Sequence, residues 1–118
     1  MTNDDTSNPS FHVYDVALEL ARAARPVVEL IERRDRALAI QARRALASAS
    51  LNIREGNRRV GGDRLHSFRI AAGSADEVVG ALEVAEALGY VRRADIEPAL
   101  VLADRALAML YRLTQPRR

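Results

Sequence analysis

Cysteine, tryptophan and lysine are all absent from the 118-residue sequence. Without cysteine there are neither disulfide bonds nor thiolate metal sites. Aromatic residues make up only 4% of the chain, and no apolar run approaches the roughly 20 residues that a membrane helix requires. Residues 1–10 are polar and contain no apolar segment. We therefore expect no secretory signal and no membrane span, and we predict a cytoplasmic protein.

The apolar residues that are present are mainly alanine and leucine. Both favour helices, whereas β-branched and aromatic residues favour strands. The composition therefore predicts an all-α protein, and the chain length is that of one domain. We predict a disordered tail over residues 1–9, a helical domain over residues 10–114 and a basic tail over residues 115–118.

Apolar periodicity and turn residues divide the domain into four helices. Ser10 is the predicted N-cap of the first helix, and Asp35, Asp63 and Asp95 are the predicted caps of the other three. Pro26 is expected to kink or divide the first helix, because proline lacks an amide proton and collides with the preceding turn. Short turns between the helices predict an antiparallel up-down-up-down four-helix bundle.

The net charge of +2 hides a segregation of charge along the chain. From Arg33 to Arg69 ten arginines oppose three acidic residues, giving a local charge of +7, whereas residues 70–104 sum to −5. Charge concentrated on one element indicates a surface for an acidic partner. A basic set made only of arginine is also what a GC-rich genome produces.

The second helix alternates twice between polar and apolar surface at about 100° per residue. A polar stripe contains Gln41, Arg44, Ser48, Asn52, Glu55 and Arg59. It lies between a broad apolar strip (Leu38, Ala42, Ala45, Leu46, Ala49 and Ile53) and a narrow one (Ile40, Ala47 and Leu51). Either the stripe is a hydrogen-bond network inside the bundle, or the narrow strip contacts another subunit, and both can hold together.

The third helix offers partners for this stripe. Its broad apolar face contains Phe68, Ala71, Ala72, Ala75, Val78, Val79 and Leu82. A second apolar arc, which includes Glu77, contains Ile70, Ala81, Val84 and Leu88. Because an unpaired buried acid is costly, we expect Arg44 to pair with Glu77. A second pair is expected between Glu55 and either Arg59 or Arg69.

A separate basic line on the second helix is left for a partner. It consists of Arg36, Arg43 and Arg54, with Arg58 and Arg64 nearby and Arg33 and Arg34 at the preceding turn. Arginine donates forked hydrogen bonds that suit phosphate oxygens. Since no aromatic residues are interleaved with these arginines in the sequence, we expect RNA or DNA to be bound through its backbone rather than by base stacking. The alternative is a solvated basic face.

Two segments together resemble a known protein family. The second-helix segment contains Gln41-Ala42-Arg43-Arg44-Ala45, Ser48, Asn52-Ile53-Arg54-Glu55-Gly56 and Arg59. The third-helix segment contains Phe68, Ile70-Ala71 and Gly73-Ser74-Ala75 with Glu77. They resemble the signatures of the four-helix-bundle proteins encoded within intervening sequences of bacterial 23S ribosomal RNA genes. Accessory proteins of diversity-generating retroelements are similar to them. The chain departs from the family pattern at Arg54, usually a small residue, and at Ala49, usually a β-branched one.

The resemblance implies a bundle that assembles as a ring-shaped homo-oligomer, specifically a pentamer. It also implies a non-enzymatic role, with nucleic-acid binding among the retroelement relatives. A ring would repeat the weak, salt-sensitive contacts of each basic line and so increase avidity. The alternative function is an interaction scaffold or accessory subunit for a partner protein such as a reverse transcriptase.

A third hypothesis is an enzyme. Arg59 and His66 resemble the spaced pair of helical HEPN-type ribonucleases, but Gly61-Gly62 breaks the segment between them. His12 and His66 alone make a poor metal site, and no phosphate-binding glycine loop follows a strand. We therefore expect no catalysis, cofactor, metal or small-molecule substrate.

Two glycines of the third helix are predicted to allow close approach of a neighbouring helix: Gly73 and Gly80.

Overall fold

The structure, a computed structural model, describes residues 9–116 and is all-α, with no strand in that range. Its four helices are α1 (Pro9–Glu32), α2 (Arg36–Asn57), α3 (Gly61–Ala87) and α4 (Arg93–Leu113). Of the two predicted tails, residues 1–8 and 117–118 lie outside the described residues. Pro9, predicted to belong to the first tail, begins α1 instead, and residues 115 and 116 follow α4 outside any helix. None of the helices in residues 9–116 has both the length and the apolar character needed to cross a membrane.

The four helices bury their apolar stripes against one another to form a bundle. Each helix packs against the next in the chain, and α4 packs against α1. The apolar residues that recur at helical spacing along α1 are buried: Val13, Ala17, Leu20, Ala24, Val28 and Ile31. The predicted broad apolar strip of α2 is confirmed, since only Leu38 among its members is merely half-buried. Phe68 of α3 is the bulkiest fully buried side chain among those that the structure describes.

The beginning of α2 matches the prediction, whereas α1 differs in two respects. The Asp35 Oδ1 atom accepts a hydrogen bond from the Leu38 backbone N–H at 3.0 Å, which confirms Asp35 as an N-cap. Helix α1 begins at Pro9, so Ser10 lies within the helix rather than before it. Helix α1 also continues through Pro26 without division. Because Pro26 is exposed, water can reach a backbone carbonyl that proline leaves unpaired. A kink there stays a prediction.

The predicted caps of α3 and α4 are displaced. Val60 is the N-cap of α3 and contributes no side-chain hydrogen bond, while Asp63 lies in the first turn. Arg92 is the N-cap position of α4, and its backbone N–H donates to Asp95 Oδ2 at 2.8 Å. This hydrogen bond lowers the pKa of the Asp95 carboxyl. A carboxylate in the first turn also stabilises a helix N-terminus, so the same sequence signal fits either position.

Candidate nucleic-acid interface

The basic line lies along the outward side of α2, toward α1. Arg36, Arg43 and Arg54 are all exposed. The Arg43 Nη2 atom donates to Glu32 Oε1, at the end of α1, at 2.7 Å. That hydrogen bond and the positive charge of Arg43 lower the pKa of the Glu32 carboxyl. Within residues 9–116, no acidic side chain pairs with Arg36 or Arg54, so Arg43 is the one member of this line with such a partner.

The two arginines predicted to flank this line have different surroundings. Arg58 follows the last residue of α2 and is exposed. Arg64 is half-buried, and its Nη1 atom donates to the Gly56 carbonyl at 3.1 Å. Its guanidinium also lies over Phe68, 4.7 Å from the ring centroid. Arg64 therefore connects α3 to the end of α2, whereas the Arg58 side chain faces solvent.

Tyr14 is the residue at this surface that sequence reasoning missed. The Arg54 Cζ atom lies 5.6 Å from the centroid of the Tyr14 ring. Tyr14, Arg54, Asn57 and Arg58 line a hollow of about 260 Å³ where α1 begins and α2 ends. Only the packing of α1 against α2 brings this aromatic ring to the basic line. The arginines have no aromatic neighbours along the sequence, but the fold supplies one at this end of the basic line.

The predicted polar network on α2 is shielded from solvent only in its middle. The hydroxyls of Ser48 and Ser74 are hydrogen-bonded at 2.7 Å, and Asn52 Nδ2 donates to the Ser48 carbonyl at 2.9 Å. The other stripe members are exposed: Gln41, Arg44, Glu55 and Arg59. The stripe follows the outer edge of the contact between α2 and α3, so most of it remains in water rather than inside the bundle.

The predicted ion pairs of this stripe have opposite outcomes. Arg44 and Glu77 line one hollow of about 300 Å³ but form no ion pair in the described part of the chain. Both side chains are exposed, and a solvated carboxylate needs no partner. Glu55 does pair with Arg59, whose Nε atom donates to Glu55 Oε2 at 2.6 Å.

Helices α2 and α3 also expose large apolar side chains, and we call these residues together the α2–α3 outer face. They are Ile40 and Leu51 of α2, Ile70 and Val84 of α3, and Leu88 at the C-cap of α3. Leu51 is 66% exposed. A β-carbon added at Gly73 or Gly80 would meet no atom within 4 Å. The predicted close helix approach at these glycines therefore does not occur among residues 9–116.

Of the residues of the enzyme hypothesis, Arg59 lies in the turn between α2 and α3, and His66 lies in α3. Arg59 pairs with Glu55 and, at 3.9 Å, with Asp63. His66 is exposed in the second turn of α3. Among residues 9–116 no three histidine or acidic side chains gather into a group that could hold a metal ion.

Comparisons with known proteins give one family and one fold. The model of the 23S rRNA-intervening sequence protein family matches residues 10–112. The structure is similar to the crystal structure of a protein of unknown function from the S23 ribosomal protein family of Bacteroides thetaiotaomicron. The TM-score is 0.79 at 21% sequence identity, over 88% of this chain and 99% of that one. A comparison with curated proteins gives no significant match.

Proposed function

The chain belongs to the 23S rRNA-intervening sequence protein family, and from this premise we propose a non-enzymatic protein that forms a ring and binds nucleic acid. The observation that carries the binding proposal is the set of exposed arginines along α2. Arg36, Arg54 and Arg58 form no ion pair within residues 9–116. Their guanidinium groups are therefore available to phosphate oxygens.

The proposed assembly is a homopentamer of antiparallel, up-down-up-down bundles. Tyr14, near the beginning of α1, lies beside Arg54, near the end of α2, which supports antiparallel packing of these two helices. Self-association is supported by the α2–α3 outer face, because several large apolar side chains exposed on neighbouring helices are more typical of protein interfaces than single ones. A ring needs a second, complementary surface on each copy. The groove between α1 and α2, about 400 Å³ with Val28 and Leu46 among its lining, is a candidate.

The proposed affinity for nucleic acid depends on the proposed ring. A single protomer offers only three such arginines, and phosphate contacts of this kind weaken steeply with salt. A ring would place one set on each protomer, so that a bound strand contacts several sets at once. Binding of useful strength is therefore expected from the assembly rather than from one copy.

Replacing Arg36, Arg54 and Arg58 together with serine tests the binding proposal. We expect affinity for RNA or DNA at low salt to fall by at least about tenfold, because three phosphate contacts per protomer are lost. The dependence of the logarithm of the binding constant on the logarithm of salt concentration should also become shallower by at least about 2. Fluorescence anisotropy with a labelled oligonucleotide, measured over a salt series, provides both quantities.

A matched control removes the same charge elsewhere. Arg22, Arg105 and Arg112 are exposed on α1 and α4 and form no ion pair within residues 9–116. Replacing these three with serine should leave most of the affinity intact. Equal losses in the two triple variants would show that net charge rather than the α2 surface governs binding, contrary to the proposal.

The second candidate function is an interaction scaffold for a partner protein, such as a reverse transcriptase. The α2–α3 outer face favours it, because the same apolar surface could contact a different chain. If the unsubstituted protein binds neither RNA nor DNA at low salt, the scaffold replaces nucleic-acid binding as the better account.

A further inference from the structure

The hollow between the beginning of α1 and the end of α2 combines an aromatic ring with two exposed cations. Its lining residues are Tyr14, Arg54, Asn57 and Arg58, and its volume is about 260 Å³. Tyr14 is half-buried, with part of its ring packed on the apolar core and part facing the hollow's side of the bundle. Arg54 and Arg58 are exposed. The feature therefore offers both flat π surface and positive charge within one small recess.

The contact between Tyr14 and Arg54 positions the Arg54 guanidinium within the hollow. Arg54 lies over the Tyr14 ring at 5.6 Å from its centroid, and within residues 9–116 no carboxylate pairs with it. A guanidinium that rests on an aromatic ring keeps its other planar side available, and nucleobases stack on such planes as well as on aromatic rings. Arg58, in the same hollow, is positioned to contact the phosphate of a stacked nucleotide.

The other two arginine–aromatic contacts of the described residues have structural roles instead. Arg64 covers Phe68, which is fully buried, and also donates to the Gly56 carbonyl. Arg34 lies 5.5 Å from the Tyr90 ring centroid, but the Tyr90 hydroxyl donates to Asp35 Oδ2 at 3.1 Å. Burial and this hydrogen bond raise the pKa of Tyr90. The Tyr14–Arg54 contact is therefore the one placed in an exposed basic hollow.

We infer that this hollow binds an unpaired nucleobase of single-stranded nucleic acid, stacked on the open side of the Arg54 guanidinium and in contact with the exposed part of Tyr14, with the adjacent phosphate held by Arg58. The inference deepens the proposed nucleic-acid binding and rests on it. A paired base inside a duplex cannot reach a recess of this kind, because its faces are covered by neighbouring bases. Stacking also tolerates any base, so the site selects unpaired strands without a strong sequence preference.

The test compares oligothymidylate with an oligonucleotide of equal length in which every base is replaced by an abasic site. Both carry the same phosphates, so their difference measures the contribution of the bases. We expect the protein to bind oligothymidylate about tenfold more tightly. Tyr14→Leu keeps apolar packing but removes the ring, and should abolish most of this difference. Tyr14→Phe keeps the ring and should preserve it. Duplex DNA of the same length should gain nothing from Tyr14.

Two controls separate this effect from a general loss of structure or charge. Tyr111→Leu removes an exposed tyrosine of α4, 65% accessible, that has no arginine over it, and should leave both affinities unchanged. Arg58→Ser should weaken binding of the two probes by similar factors, because both retain their phosphates.

Tyrosine fluorescence offers a direct measurement. The chain has no tryptophan, so in a variant that combines Tyr90→Phe with Tyr111→Phe the tyrosine emission comes from Tyr14 alone. Oligothymidylate, but not the abasic probe, should quench it.

The possible failures are distinguishable. Equal affinity for the two probes, or a difference that survives Tyr14→Leu, would overturn base stacking while leaving phosphate binding intact. Absence of binding to both probes at low salt would remove the proposed function together with this inference.

Discussion

Gly56 lies near the end of α2, where a β-carbon would be 2.5 Å from Phe68 Cε1. Because Phe68 is fully buried, its ring has little room to move. We expect Gly56→Ala to lower the free energy of unfolding by about 1–3 kcal/mol through overpacking. This loss should exceed the gain of about 0.5–1 kcal/mol that alanine usually brings to a helix. Urea denaturation at a fixed protein concentration measures the change.

Gly62 provides the comparison for this prediction. It lies in the first turn of α3, and a β-carbon there would meet no atom within 4 Å. Gly62→Ala should therefore be neutral or stabilise the protein by up to about 1 kcal/mol. Similar effects of the two substitutions on stability would show that the contact with Phe68 does not explain Gly56. The sequence marks both glycines as helix-end residues, but the difference between them depends on a ring twelve positions away in another helix.

Where α2 begins, both carboxylate oxygens of Asp35 accept a hydrogen bond. Asp35 accepts from the Leu38 backbone N–H through Oδ1 and from the Tyr90 hydroxyl through Oδ2. Asp35→Ala removes both contacts, and we expect a loss of about 1–3 kcal/mol in the free energy of unfolding. Asp35→Asn should lose much less, because asparagine caps helices about as well as aspartate. Thermal and urea denaturation can rank these variants.

Tyr90→Phe separates the two contributions, because it removes only the hydroxyl that reaches Asp35. Its expected cost is about 1 kcal/mol, less than that of Asp35→Ala. If Tyr90→Phe were as destabilising as Asp35→Ala, the cap would contribute nothing, contrary to the geometry. The cap could be predicted from the sequence because it involves neighbouring residues. The contact with Tyr90 could not, since it joins the turn before α2 to the connector after α3.

In α3 the periodic pattern of apolar residues predicts a helix but not the face that it buries. The helix carries two apolar arcs, and the pattern does not reveal which one is buried. In the structure Phe68, Ala71, Ala75, Val78 and Leu82 are in the core, whereas Ile70, Val84 and Leu88 remain exposed. The predicted ion pair between Glu77 and Arg44 does not form, for the same reason. Since its arc faces outward, Glu77 is solvated and needs no arginine.

For the molecule as a whole, the exposed arc of α3 makes the proposed ring testable. Val84 on the α2–α3 outer face is 47% exposed, and Val101 on α4 is 57% exposed. Val84→Asp would place a charge in the proposed interface, so the mass from light scattering at micromolar concentration should fall from that of an oligomer to that of a monomer. Val101→Asp introduces the same charge on another helix and should leave the oligomer intact. A monomeric unsubstituted protein, or equal effects of the two variants, would contradict the ring.

Local preferences were sufficient to predict the four helices, the cap at Asp35 and the core strip of α2. Helix propensity, capping and a period of 3.6 residues act between residues close in the chain. Tertiary packing was needed to assign roles to the arginines. It pairs Arg43 with Glu32, joins Arg64 to Gly56 and brings Arg54 to Tyr14. Such contacts depend on which helix faces meet, and the charge and spacing of residues along one helix do not contain that information.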